Sequence, residues 1–203
     1  MAFGQRTSRT CESDERAEHE RGAGEADLST LGQTAPLPLV ILGSARPDGE
    51  TRRAVDIAFP SDTAQLVALP HYTIGGYDYG HANAGDDFSV VADAMTAAET
   101  IVFATPVYWY AMSAPLKIFF DRLTDLTENL KAKGKALAGK SVWVIATGTE
   151  TELPEGFEIP FARTAGYFGM VYRGCAYLYT GDDRGLRAAG ETALKAFAAK
   201  IGG

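Results

Sequence analysis

The sequence predicts an α/β protein: five short apolar strands alternating with helices and assembled as one doubly wound parallel sheet. Three observations carry that expectation. Runs of β-branched and aromatic residues read as strands buried on both faces. Apolar residues at i, i+3, i+4 and i+7 recur between those runs, as on one face of a helix. Strict strand–helix alternation with right-handed crossovers then places helices on both sides of the sheet. With 203 residues, 46% of them hydrophobic, the chain is long enough for one well-filled domain and short for two.

The first strand is Pro38–Leu42. It gives way to Gly43-Ser44-Ala45-Arg46-Pro47-Asp48-Gly49-Glu50-Thr51 and then to a helix from Thr51 to about Phe59. Glycines let this backbone turn, Ser44 and Thr51 offer hydroxyls, and Arg46 offers a fork of donors. A helix amino terminus adds unpaired N–H groups and a partial positive charge. A phosphate fits such a loop, and so does ordinary turn and capping chemistry. The Gly-Lys-Ser/Thr of an ATP-binding P-loop and the Gly-x-Gly-x-x-Gly of a dinucleotide site are both missing from it.

Gln65–Leu69 is the second strand, and it feeds a polar loop from His71 to Asp87. A loop of that length in a compact domain marks a functional or mobile segment. His71 and His81 lack metal-ligand company and read as surface-loop residues. Phe88, Val91, Met95 and Ala98 mark the next helix. The third strand, Ile101–Ala104, is expected to stop at Thr105-Pro106, because proline cannot donate to a ladder and keeps its predecessor extended.

Beyond it lie Val107-Tyr108-Trp109-Tyr110-Ala111-Met112-Ser113, and then a helix with Pro115 in its first turn and Leu116, Phe119, Phe120 and Leu123 on one face. Three consecutive aromatics in a connecting loop fit two readings. They wall a flat ligand at the carboxyl end of a strand, where open α/β sheets bind theirs, or they cover the end of the core.

Leu126–Gly139 is a Lys-rich connector, with Lys131, Lys133, Lys135 and Lys140 expected as a solvated rim. Ser141–Ala146 is the fourth strand and ends in the small polar loop Thr147-Gly148-Thr149-Glu150. A glycine-broken helix within Phe157–Met170, a fifth strand at Cys175–Tyr179 and a closing helix over Leu186–Ile201 complete the pattern.

Met1–Pro36 has another character, rich in Glu, Arg, Gly, Ser and Thr and without sustained periodicity. It cannot bury enough apolar area to offset ordering, and it is expected to be a disordered extension to a folded domain spanning 37–203. No chemistry is assigned to Cys11 or His19. A net charge of −7 argues against nucleic acid as a partner. Two cysteines, Cys11 and Cys175, in such different segments make no disulfide framework and suit a reducing compartment. Without a membrane-length apolar run or a signal peptide, the expectation is a soluble cytoplasmic protein with no membrane partner.

Gly43-Ser44-x-Arg46-x-x-Gly49-x-Thr51, combined with Thr105-Pro106-Val107-Tyr108-Trp109 and Ser113-Ala114-Pro115-Leu116-Lys117, resembles the flavodoxin-like NAD(P)H-dependent FMN reductase family. The resemblance runs from about Leu37 to the end of the chain. It implies the strand order 2-1-3-4-5, in which the loops after strands one and three meet at the switch point. It further implies that Ser44, Arg46, Gly49, Glu50 and Thr51 surround the FMN phosphate. Pro106, Val107, Tyr108, Trp109 and Tyr110 would hold the ribityl chain and isoalloxazine edge, and Thr147, Gly148 and Thr149 would close the far side. Glu50 departs from the family, whose members commonly carry Asn there. A carboxylate pointing inward would repel a phosphate, so Glu50 is expected to contribute its backbone N–H alone.

The implied activity passes hydride from NAD(P)H through bound FMN to a small-molecule acceptor. The alternatives are a flavodoxin-type electron carrier without a nicotinamide site, and a non-catalytic binding module. Because the flavin carries the redox chemistry, no catalytic acid, base, nucleophile or metal-ligand set is expected. The sequence offers no recognisable one. A homodimer stays open.

Overall fold

The computed structural model describes residues 36–201. The expected extension, Met1–Pro36, lies outside them apart from its last residue. Within the described residues each central strand divides its side chains between two cores. In β1 (Leu39–Leu42), Leu39 and Ile41 enter one core while Val40 and Leu42 enter the other, which is the two-residue period of a pleated strand. β3 (Thr100–Tyr108) repeats the division with Ile101 and Phe103 against Val102 and Ala104. β5 (Ser141–Gly148) does so with Val142 and Val144 against Ile145. A sheet so apolar on both sides needs two layers of helices.

The first face is covered by α2 (Phe88–Ala97), α3 (Ala114–Arg122) and α5 (Ile159–Tyr167), through Met95, Phe119 and Phe161. The second is covered by α1 (Glu50–Ala58) and α6 (Arg184–Ala199), through Val55, Leu194 and Phe197. With β2 at Gln65–Ala68 and β6 at Val171–Tyr179, the parallel strands lie in the order β2-β1-β3-β5-β6. That is the expected order of five, with β1 and β3 adjacent at the switch point.

The sheet nevertheless has six strands. β3 does not stop at Thr105-Pro106. Pro106 occupies the last register opposite Thr147 of β5, and past it the strand changes partner. Val107 and Tyr108 pair antiparallel with Met112 and Ala111 of β4 (Ala111–Met112). Proline ends the parallel ladder here, and a hairpin continues the strand. β6 also starts four residues earlier than Cys175, at Val171. Its first half is an exposed edge broken by a bulge opposite Val142 and Trp143, which hides the apolar signal a central strand displays.

Two lysines of the connector are not rim residues. Lys133, in the middle of the short helix α4 (Lys131–Lys135), reaches Asp93 at 2.7 Å and the Ser89 hydroxyl at 2.7 Å. Lys140 donates to the carbonyls of Thr96 and Ala98 at 2.8 and 2.5 Å, so a cation caps the carboxyl end of α2.

The long loop is pinned as well. Arg122, only 2% exposed, donates through Nε to Asp125 (2.8 Å) and through Nη1 to Asp86 (2.5 Å). It also donates to the carbonyls of Gly75 and Asn83, both at 3.1 Å, and its guanidinium stacks 4.8 Å over the Phe88 ring.

Candidate functional site

The loop after β1 and the loop after β3 are joined at their roots by buried hydroxyls. The Gly43 N–H donates to the Ala104 carbonyl at 2.8 Å, and the Ser113 hydroxyl donates back to the Gly43 carbonyl. Thr105 Oγ1 accepts from the Ser113 N–H at 3.0 Å. All of this lies out of water, with Thr105 and Ser113 fully buried. Gly43 must be glycine, since a Cβ there would come within 2.5 Å of Leu116 Cβ at the start of α3. The glycine that begins the motif is thus fixed by helix packing before any ligand is considered.

From this root the β1–α1 loop rises to an open helix end. Ser44 Oγ accepts from the Arg46 N–H at 3.2 Å, and Gly49 occupies the N-cap of α1 without a side-chain cap. The first N–H groups of α1 therefore have no side-chain acceptor, while the Arg46 side chain is exposed and has no ion pair among the described residues. An uncapped helix end beside a free guanidinium is an anion site in its chemistry. Thr51 does not point into it, because its buried Oγ1 hydrogen-bonds Thr147 Oγ1 at 2.8 Å. The pair ties α1 to the end of β5. Glu50 does not simply face water either: its carboxylate meets Arg187 at 2.9 Å and Arg53 at 3.5 Å.

Past β3, the chain turns through Trp109 and Tyr110 with φ of 49° and 65°. Tyr108 pairs with Ala111, so this is a two-residue turn with both central residues left-handed, the type I′ geometry usually supplied by Asn-Gly. Two bulky aromatics held there store about 1–3 kcal/mol each in the backbone. Trp109 is 92% exposed and Tyr110 69%. The three rings do not cover the core.

Between the hairpin and the end of β5 opens a cleft of about 190 Å³. Val107, Trp109 and Tyr110 form one wall, and Gly148, Thr149 and Glu150 form the other. Pro154 and Tyr177 complete it. Burial, helped by the nearby Glu150 and Tyr179, pushes the Tyr177 phenol up to about 12. It therefore stays protonated and donates to the Glu150 carbonyl at 2.8 Å. Gly148 leaves room for that phenol, which a Cβ would meet at 2.7 Å.

Five of the expected residues thus line the cleft: Val107, Trp109, Tyr110, Gly148 and Thr149. Ser44, Arg46, Gly49 and Glu50 form the separate loop at the head of α1. Pro106, Thr51 and Thr147 are buried beneath both, as supports, and Tyr108 lies exposed outside the lining. Sequence reasoning missed Glu150, Pro154, Tyr177, Thr105, Ser113 and Arg187. Ser113 stood inside a quoted motif, whereas Tyr177 and Arg187 carry no local signal at all. Among the described residues, no group of three His, Cys, Asp or Glu side chains could hold a metal ion, and no helix is long and apolar enough to cross a membrane.

This geometry agrees with the kinships of the chain. YwqN of Bacillus subtilis (strain 168), named for an NAD(P)H-dependent FMN-containing oxidoreductase, is 28% identical over 145 residues, 66% of this chain and 80% of that protein. The Trp repressor binding protein of Bacillus subtilis superposes with a TM-score of 0.62 at 24% identity, over 79% of this chain and 95% of that one. General stress protein 14 of Treponema denticola, solved in complex with FMN, gives 0.59 at 20% identity, over 82% and 98%. At such identities the two structures establish the flavodoxin-like fold. The sequence profile of the family described as NADPH-dependent FMN reductase matches residues 38–154, more than half of the chain, and the protein belongs to that family.

Proposed function

We propose that the open end of α1 and the aromatic cleft are two parts of one FMN site in an NAD(P)H-dependent oxidoreductase. The observation that carries this reading is the uncapped amino terminus of α1 next to Arg46, which has no ion pair among the described residues, at the head of the switch-point crevice. Ser44, Arg46, Gly49 and the backbone N–H groups of Glu50 and Thr51 would hold the phosphate. Tyr108, carried by the buried Pro106, would border the ribityl chain, and Val107, Trp109 and Tyr110 would border one edge of the ring system. Gly148 and Thr149 would stand opposite, with Thr147 supporting them from beneath. The cleft is smaller than the roughly 300–1,000 Å³ of an enclosing pocket, so it suits a ring edge and leaves a face of the flavin open. That the Treponema denticola neighbour was solved with FMN supports the assignment.

When bound, FMN supplies the two-electron chemistry between reduced nicotinamide and a small-molecule acceptor. The chain's own part is positional. Thr51 and Thr147 hold the phosphate helix against the ring-side loop, and Tyr177 fixes the Glu150 carbonyl that shapes the cleft wall. The aromatic tip screens one side from water. None of these residues has to exchange a proton during turnover, and Tyr177 keeps its proton in the bond to the Glu150 carbonyl. We assign this site to residues 37–203.

The test is Arg46→Ala. FMN binding should weaken by about 1.5–3 kcal/mol, the range for a hydrogen bond to a charged group, while riboflavin, which lacks the phosphate, binds as in the parent. Fluorescence titration reads both. An equal loss for riboflavin would remove Arg46 from the phosphate. NAD(P)H consumption by the purified protein, without a separate reductase, distinguishes the enzyme from an electron carrier.

A further inference from the structure

Glu50 places a carboxylate on the first residue of α1, beside the N–H groups assigned to the phosphate, where a dianion would be repelled. The structure also holds its compensation. Arg187, in the first turn of α6, sends Nη2 to Glu50 Oε1 at 2.9 Å, and Nη1 to the carbonyls of Thr180 at 2.8 Å and Gly181 at 3.3 Å. Thr180 in turn donates its N–H and its hydroxyl to the Gly148 carbonyl, at 2.7 and 3.0 Å. A guanidinium anchored on the β6–α6 loop thus holds the one acidic side chain of the phosphate helix's first turn. It also links that helix to the cleft wall. Arg53 adds a second, longer contact to Glu50, but it is shared with Glu191.

We infer that Arg187 is a positioning residue for the phosphate site. It neutralises Glu50 and turns its carboxylate away from the helix end, so that a chain with glutamate at this position still accepts a phosphate dianion. The inference rests on the FMN reading above and extends it to a residue outside the matched family segment, which ends at residue 154. Arg187 itself is spent on Glu50 and two carbonyls, so its effect on the phosphate passes through the carboxylate.

The experiment is a cycle on the full chain, titrating FMN and riboflavin separately into the parent, Arg187→Gln, Glu50→Gln and the double variant. Arg187→Gln should weaken FMN about three- to tenfold, a partly screened charge effect, and change riboflavin less than about twofold. In the double variant no carboxylate remains to be neutralised, and FMN affinity should return to within about twofold of the parent. If Arg187→Gln weakens both ligands equally, or the double variant stays as weak as Arg187→Gln, Arg187 merely supports the fold and the inference is overturned. If the parent binds neither flavin, the FMN reading falls first and this inference with it.

Discussion

Two loops of this protein invert the usual relation between length and freedom. The connection between β2, which ends at Ala68, and α2, which begins at Phe88, is a long one and, by length alone, reads as mobile. It is instead held by the buried Arg122, itself braced by Asp125, through the Asp86 carboxylate, the carbonyls of Gly75 and Asn83 and the ring of Phe88. The β3–β4 turn has two residues, yet its aromatic side chains are almost bare and its backbone is left-handed at both. Local freedom follows anchoring and burial, not the number of residues between elements. The shorter loop is the one at the cleft.

The largest test of this contrast is Arg122→Met. It keeps the apolar stem but leaves Asp86 and Asp125 buried without a counter-charge, and it should cost about 3–5 kcal/mol in chemical denaturation. A loss below about 1 kcal/mol would show that the long loop holds itself.

Acid should loosen the same loop more gradually. Burial would raise the Asp86 carboxyl, but Arg122 and the N–H groups of Phe88 and Gly75 outweigh it and hold the group below its ordinary value. A depressed carboxylate stabilises the fold above the unfolded-state value of about 3.9 and ceases to do so as pH falls through its own lower value. Denaturation midpoints between about pH 5 and about pH 2 should therefore drop less steeply for Asp86→Asn than for the parent. Parallel acid limbs would separate Asp86 from the effect.

The turn should give the smallest change in stability and a clear change in the cofactor. Trp109→Gly removes an exposed ring and its backbone strain together, so stability should stay within about 1 kcal/mol of the parent. Trp109→Ala keeps the left-handed strain and should be the less stable of the two. Both should shift the spectrum of bound flavin or its rate of reduction by NAD(P)H. A loss of about 3–5 kcal/mol, as for a buried tryptophan, would return this ring to the core.

The order of the strands was implied by the family resemblance alone, whereas the parallel sheet itself was legible because buried strands such as Val40–Leu42 and Val142–Ala146 announce themselves by composition. The hairpin was not. Pro106 looked like a terminator because sequence does not reveal that a strand can change partners at a proline. The anion loop was legible from Gly43, Ser44, Arg46 and Gly49, which are local to one another. Arg187 and Tyr177 were invisible because their roles depend on contacts with Glu50, 137 residues away, and with the Glu150 carbonyl, 27 away. Of the two readings of Tyr108-Trp109-Tyr110, the one that covers the core gave way to exposure, a property of the turn geometry and not of the residue types.

The hydroxyl pair of Thr51 and Thr147 bears on the order of events when the chain folds. Its two halves are 96 residues apart and meet only after β1, β3 and β5 stand side by side. Such pairings form late, because the closure entropy of the intervening chain must be met before any contact rewards it. A nucleating chain therefore offers neither wall of the crevice complete. A ligand that reads both walls would leave the refolding rate untouched and slow only the escape from the native state, making it a brake on unfolding and not a template for assembly.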